Sequence, residues 1–98
     1  MSVRTREIIA ATTGIVTSVA FAPVGVATVT AGAFAVNEGV KVQFSHDAVT
    51  WQDLYLNGVL QEIDASHTMI TIMGPGMFRC VKSLSVAAYS VTLWESEV

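Results

Sequence analysis

Apolar and polar positions alternate with a period of two along most of this chain, and the pattern is clearest over residues 39–56. Val40, Val42 and Phe44 alternate with Lys41, Gln43 and Ser45, which places three apolar side chains on one side of an extended chain and three polar ones on the other. That pattern predicts a half-buried β-strand. Ser45-His46-Asp47-Ala48 then supplies turn chemistry, because short Ser and Asp side chains bond backbone amides two residues on. Alternation restarts at Val49, so the stretch reads as a hairpin with Trp51 near the start of its second strand. Asn57-Gly58 is the strongest turn dipeptide in the chain, since both residues tolerate positive φ, and it joins residues 50–56 to 59–63 as a further hairpin. Asp64-Ala65-Ser66-His67 makes the next turn. Residues 69–73 are apolar nearly throughout, which suits a strand covered on both faces. Gly74-Pro75-Gly76 must break it, residues 77–81 follow, and after a turn near Ser83 to Ser85 a last strand covers 86–94. The tail, 95–98, is polar and acidic and is expected at the surface.

No stretch carries a helical period with caps. Short strands at regular spacing predict an all-β chain, a small antiparallel β-sandwich or barrel. The first third is harder to place, because residues 8–37 form thirty uncharged positions, more than the ~20 that a membrane helix needs. Arg4 and Arg6, then 8–21, then Ala20-Phe21-Ala22 also imitate a signal peptide with a small-residue cleavage site. Against both, the stretch is poor in Leu, rich in Thr, Val, Gly and Ala, and interrupted by Pro23, a composition that favours extended chain over helix. Cleavage is not expected. The β reading divides the chain into an extended, partner-binding N-terminal arm over 1–20 and a single sandwich domain over 21–98. The arm would lie on a neighbouring subunit and bond its sheet edge, and its deletion would leave a folded domain. Ordinary core strands of the same domain are the competing reading of the same residues.

Composition sharpens the picture. Charged residues are 13% of the chain against a usual figure of about 25%, while apolar residues reach 52%. So little charge leaves a free-standing surface poorly covered and points to burial against other chains. A net charge of -3 with only five Lys and Arg argues against nucleic acid as a partner, since phosphate neutralisation needs clustered cations. Cys80 is the only cysteine, which excludes an intrachain disulfide and suits a small buried hydrophobe.

The residues able to hold a metal or to move a proton are His46, Asp47, Asp53, Glu62, Asp64 and His67, all in or near turns. None has the ligand spacing that a metal demands, and they read as solvated turn residues. Gly74-Pro75-Gly76 is no phosphate cradle, because a strand pattern rather than a helix follows it. Trp51, Tyr55, Phe78, Tyr89 and Trp94 could build a platform for sugars or bases, but aromatics at strand spacing belong more often to a core. No catalytic, cofactor-binding or metal-ligating residue is assigned, and the chain is not read as an enzyme.

Ser45-His46-Asp47-Ala48-Val49-Thr50-Trp51 resembles the Ser-x-Asp-(Gly)-x-Thr-Trp hairpin of phage structural proteins and, more distantly, the Asp-box of sialidase propellers. It is one residue shorter than the Asp-box, lacks its glycine and occurs once, so the repeat count rules out a sialidase. Together with Asn57-Gly58 and Gly74-Pro75-Gly76-Met77-Phe78-Arg79, the pattern over 39–94 is similar to small β-sandwich virion proteins of tailed bacteriophages. The resemblance implies a capsid decoration (cement) protein or another repeated component of head or tail. Its partners would be the major capsid protein and copies of itself, in a homo-oligomer such as a trimer, on the capsid surface of a virion assembled in the host cytoplasm. It implies no catalytic residue, no nucleic acid and no membrane. Two other classes stay open on sequence grounds: a carbohydrate- or receptor-binding module using Trp51 or Trp94 with Gln52 and Asp53, and a membrane-associated or exported protein led by residues 8–22.

Overall fold

The structure, a computed structural model, describes residues 3–32 and 38–96. Among these, regular structure consists of strands alone: β1 (Val3–Thr12), β2 (Val16–Thr17), β3 (Val26–Ala31), β4 (Val40–Ser45), β5 (Gln52–Asp53), β6 (Tyr55–Leu56), β7 (Val59–Leu60), β8 (Glu62–Ile63), β9 (Met69–Met73), β10 (Met77–Lys82) and β11 (Tyr89–Ser96). All pairings are antiparallel. A first sheet has the order β1-β11-β3-β9. A second runs β2-β10-β4-β5, with β8 also bonded to β4, and β6 and β7 form a separate hairpin. The chain is a small antiparallel β-sandwich.

Period-two patterning explains the core. Ala27 and Val29 from β3, Val91 and Leu93 from β11, and Ile70 and Ile72 from β9 pack in one cluster with Val40, Val42, Phe78 and Cys80 of the second sheet. Each Val, Ile, Leu or Phe among them contributes on the order of 1.5–3 kcal/mol when fully withdrawn from water. Burial also pushes the Cys80 thiol up to about 12, so it stays protonated and acts as a small hydrophobe.

The hairpin centred on residues 39–56 forms as the alternation predicts, with Gln43 opposite Asp53 and Phe44 opposite Gln52. Ser45 Oγ accepts from the amides of Asp47 and Ala48 at 3.2 and 2.9 Å. Asp47 Oδ1 accepts from those of Val49 and Thr50 at 2.9 and 2.8 Å. These four bonds hold Ala48 at φ 65°, a conformation that an unassisted alanine avoids. Asn57 and Gly58, at φ 54° and 78°, make the tight turn between β6 and β7, as their residue types predict. The two legs of this excursion add one after the other to the same edge of β4, with Val42 O accepting from Leu54 N and Val42 N donating to Gln61 O. At residues 74–76 the chain crosses from the first sheet to the second through a cis Gly74-Pro75 bond. A Cβ at Gly74 would run into the carbonyl of Pro23, so only glycine lets the two backbones meet here.

Several expectations differ from what is observed. The segment read as an arm is, over residues 3–12, an edge strand of the domain's own sheet, in register with β11 from Val3 opposite Ser96 to Thr12 opposite Tyr89. Ile9 on it is 2% exposed and joins the core. The physical reason is that a stretch with open backbone groups pairs with the nearest available edge, and β11 of the same chain supplies one. Residues 16–21 likewise seal β10, through β2 and through paired bonds between the backbones of Phe21 and Phe78 at 2.8 and 2.9 Å. Deleting residues 1–20 is therefore expected to lower the thermal midpoint measured by circular dichroism, not merely to weaken partner binding. The uncharged stretch also supplies β3, Val26–Ala31, as a core strand of the first sheet, and positions 33–37 lie outside the described residues. β9 is covered on one face rather than two, and the last strand starts at Tyr89 because Val86 is out in a loop. Glu95, expected in a surface tail, is only 9% exposed, on the inner side of β11 with Arg4 at 3.1 Å and Arg6 at 3.6 Å. Residues 97–98 of that tail lie outside the described residues.

Candidate functional site

The two outer faces of the sandwich differ in chemistry. On the second sheet, Arg79, Gln43 and Asp53 stand in one cross-strand row. Arg79 Nε donates to Gln43 Oε1 at 2.8 Å, Gln43 Nε2 donates to Asp53 Oδ1 at 3.0 Å, and Lys41 Nζ lies 3.7 Å from Asp53 Oδ2. The Arg79 guanidinium also sits 4.5 Å from the centre of the Trp51 ring. This face is ionic and internally paired.

The first sheet presents the opposite. Register places Thr5, Trp94, Thr28 and Thr71 in one outward row across all four strands, and Glu7, Thr92, Thr30 and Met69 in the next. Val26 and Met73 extend the face at one end. Glu7 is the sole charge among these ten. Trp94, 43% exposed, donates its indole N–H to Thr30 Oγ1 on the neighbouring strand at 2.9 Å, and Thr28 and Thr71 hydroxyls meet at 3.4 Å. Threonine hydroxyls that bond one another need less from water than charged groups do, so covering them has a small desolvation cost. Strand spacing and rise give the face an area of roughly 300 Å².

The groups weighed for metal or acid–base chemistry are distributed over the turns. Asp47 serves its own turn, where the Thr50 and Val49 amides and the Ser45 hydroxyl lower its pKa to about 2. Asp64 Oδ1 accepts from the amides of Ser66 and His67 at 2.9 and 3.0 Å. The Ser66 bond first, and His67 after it, hold its carboxyl below the usual range. Asp53 belongs to the ionic face, Glu62 stands opposite Lys41, and His46 is exposed in the first turn. Among the described residues, no three His, Cys, Asp or Glu side chains gather as a metal site would require. A group whose pKa falls on folding adds stability that is present above its unfolded value near 3.9 and lost as the pH drops through the folded one. The thermal midpoint should therefore fall between about pH 4 and pH 2. An Asp47→Asn variant, lower at pH 7, should lose less over the same interval.

Of the aromatic residues weighed as a platform, Phe78 and Tyr89 are in the core, Trp51 has one ring face under Arg79, and Tyr55 and Trp94 remain accessible. One cluster escaped the sequence reading. Lys82, with no exposed surface, donates from Nζ to Gly14 O, Ser83 O and Ser85 Oγ at 3.0, 3.0 and 2.9 Å and lies 4.5 Å from the Tyr89 ring centre. Burial lowers its pKa, and the nearby Glu38 carboxylate opposes that shift. Glu38 in turn accepts from the Val86 amide at 2.8 Å. The signal was present in the parity: Lys82 follows Phe78 and Cys80 at steps of two and so points inward.

No helix among the described residues is long and apolar enough to cross a membrane. No protein family, curated protein or solved structure matches this chain.

Proposed function

We propose that this protein is a structural docking module, a decoration or cement protein of a tailed-phage capsid, which seats the outer face of its first sheet on neighbouring shell subunits and copies of itself. The observation that carries the reading is the contrast between a flat, threonine-rich face with one charge and an ionic face whose charges already pair with one another. The likeness of residues 39–94 to small β-sandwich virion proteins points the same way, as does the low overall charge. Size matters too. A face of roughly 300 Å² falls well short of the ~800 Å² per partner of a stable binary complex. Such a surface suits a component that is added in many copies and bridges several neighbours at once, where each contact is small and the sum is large.

Sedimentation of the purified protein with shells that lack it tests the reading, together with mass spectrometry of purified particles from the genome that encodes it. The expected result is co-sedimentation that saturates at a fixed ratio to shell subunits and a matching copy number in the particle. Absence from purified particles would overturn it.

A further inference from the structure

The four outer edges of the two sheets are not equally guarded. In the second sheet β10 is flanked by residues 16–21 and β4 by β5 and β8, so the outer edges are two-residue strands too short to template another. β1 is protected in a different way: Arg4, Arg6 and Glu7 lie along it, and its register shifts twice, between Glu7 and Ile9 and between Ile9 and Thr12. Charges and bulges of this kind keep an edge from templating another strand. β9 has neither. Its sequence is Met-Ile-Thr-Ile-Met, it pairs with β3 without a register shift, and among the described residues no strand lies on its other side. Every second N–H and C=O of β9 therefore points outward along an edge of about 17 Å.

That edge is walled by the excursion from β4. One cleft of about 360 Å³ lies between Leu54 and Leu56 on the excursion and Ile72, Met73 and Phe78, with an almost wholly apolar lining. A second, of about 370 Å³, lies between Glu62 and Asp64 on one side and Met69 and Ile70 on the other. Both clefts include Thr71, so together they follow the full length of β9. One end is greasy and the other carries two carboxylates.

From this juxtaposition we infer that the free edge of β9 accepts an extended segment of a partner protein as a fifth strand of the first sheet, with an apolar side chain seated against Leu54 and Phe78 and a basic one beside Glu62 and Asp64. Backbone bonds to β9 hold the segment, and the two clefts read its side chains. The inward positions opposite Ile72 and Ile70 are two residues apart, so the segment carries its apolar and basic residues in an i, i+2 relation. An antiparallel segment meets the apolar end first and reads apolar-x-basic. Charge complementarity selects the basic residue: Glu62 and Asp64 line this cleft together with His67, whose Nδ1 lies 3.3 Å from Asp64 Oδ1, and two carboxylates beside one imidazole leave it acidic, so an acidic segment would meet like charge. The inference stands on this edge alone and holds whatever particle the flat face docks on.

The test uses the full-length, isotope-labelled protein and a synthetic pentapeptide, acetyl-Thr-Leu-Thr-Lys-Thr-amide. The expected result is saturable shifts of the amides of Met69–Met73, Leu54 and Glu62, with slower hydrogen exchange along β9. Replacing the peptide's Lys by Glu should weaken binding by about ten-fold at low salt, an advantage that fades as salt is added. N-methylating alternate peptide residues should abolish binding in one of the two alternating patterns. Shifts that avoid β9, equal binding of the Lys and Glu peptides, or indifference to both N-methylation patterns would overturn the inference. So would a concentration-dependent dimer of the free protein that slows hydrogen exchange along Met69–Met73, because the edge would then belong to a second copy.

Discussion

Replacing Lys82 by Ala should cost about 3–5 kcal/mol of stability, the range found when one partner of a buried charged group is removed. The substitution strips donors from Gly14 O, Ser83 O and Ser85 Oγ and removes a positive charge that the nearby Glu38 carboxylate favours. These groups sit on the β1–β2 loop (Gly14) and on the β10–β11 loop (Ser83 and Ser85), so Lys82 pins the two loops together beside the backbone bond from Ser85 N to Thr13 O. In a domain of this size each kcal/mol moves the thermal midpoint by about 4–8 °C, which puts the expected fall at more than about 12 °C. Lys82→Met should fall less, since it keeps the packing of the aliphatic stem against Tyr89 while losing the donors. Calorimetry of the two variants checks this. A midpoint within a few degrees of the parent for both would mean that the buried ammonium is not a fastener.

The second large effect concerns binding rather than folding. Thr28→Glu places one carboxylate at the centre of the flat face, between Trp94 and Thr71. On the free protein it is a surface change and should alter stability by no more than about 0.5 kcal/mol. In a docked complex the charge is buried without a partner, and a penalty of about 3 kcal/mol translates into a loss of affinity for shells of about 100-fold. Lys41→Gln on the ionic face should leave affinity within about three-fold, because an exposed pair contributes little. Sedimentation of both variants with shells, at equal protein concentration, separates the faces.

What could be read from the sequence, and what could not, follows from the range of the interactions involved. The Ser45–Asp47 turn, the Asn57-Gly58 turn and the break at residues 74–76 are local, fixed by side chains bonding their own backbone or by residues that open positive φ, and the sequence carries them in full. Fold class was legible for the same reason, since period two is a local signal. The fate of the first third was not, because an uncharged extended stretch has the same pattern whether it pairs with its own β11 or with another chain, and only the three-dimensional proximity of residues 89–96 decides. Glu95 was misplaced because Arg4, its partner, lies at the other end of the chain. The flat face was invisible for a related reason. Thr5, Thr28, Thr71 and Trp94 are unremarkable one by one, and they become a surface only when the order β1-β11-β3-β9 sets them side by side.

The central claim is that this face, and not the ionic one, meets the partner, and side-chain oxidation tests it directly because the face holds Met69, Met73 and Trp94, three of the most readily oxidised residues in the chain. Hydroxyl-radical footprinting of the protein free and bound to shells should show these three protected on binding, with Trp51 and Met77 unchanged. Equal oxidation of Met69, Met73 and Trp94 in the two states, or protection centred on Trp51, would contradict the account.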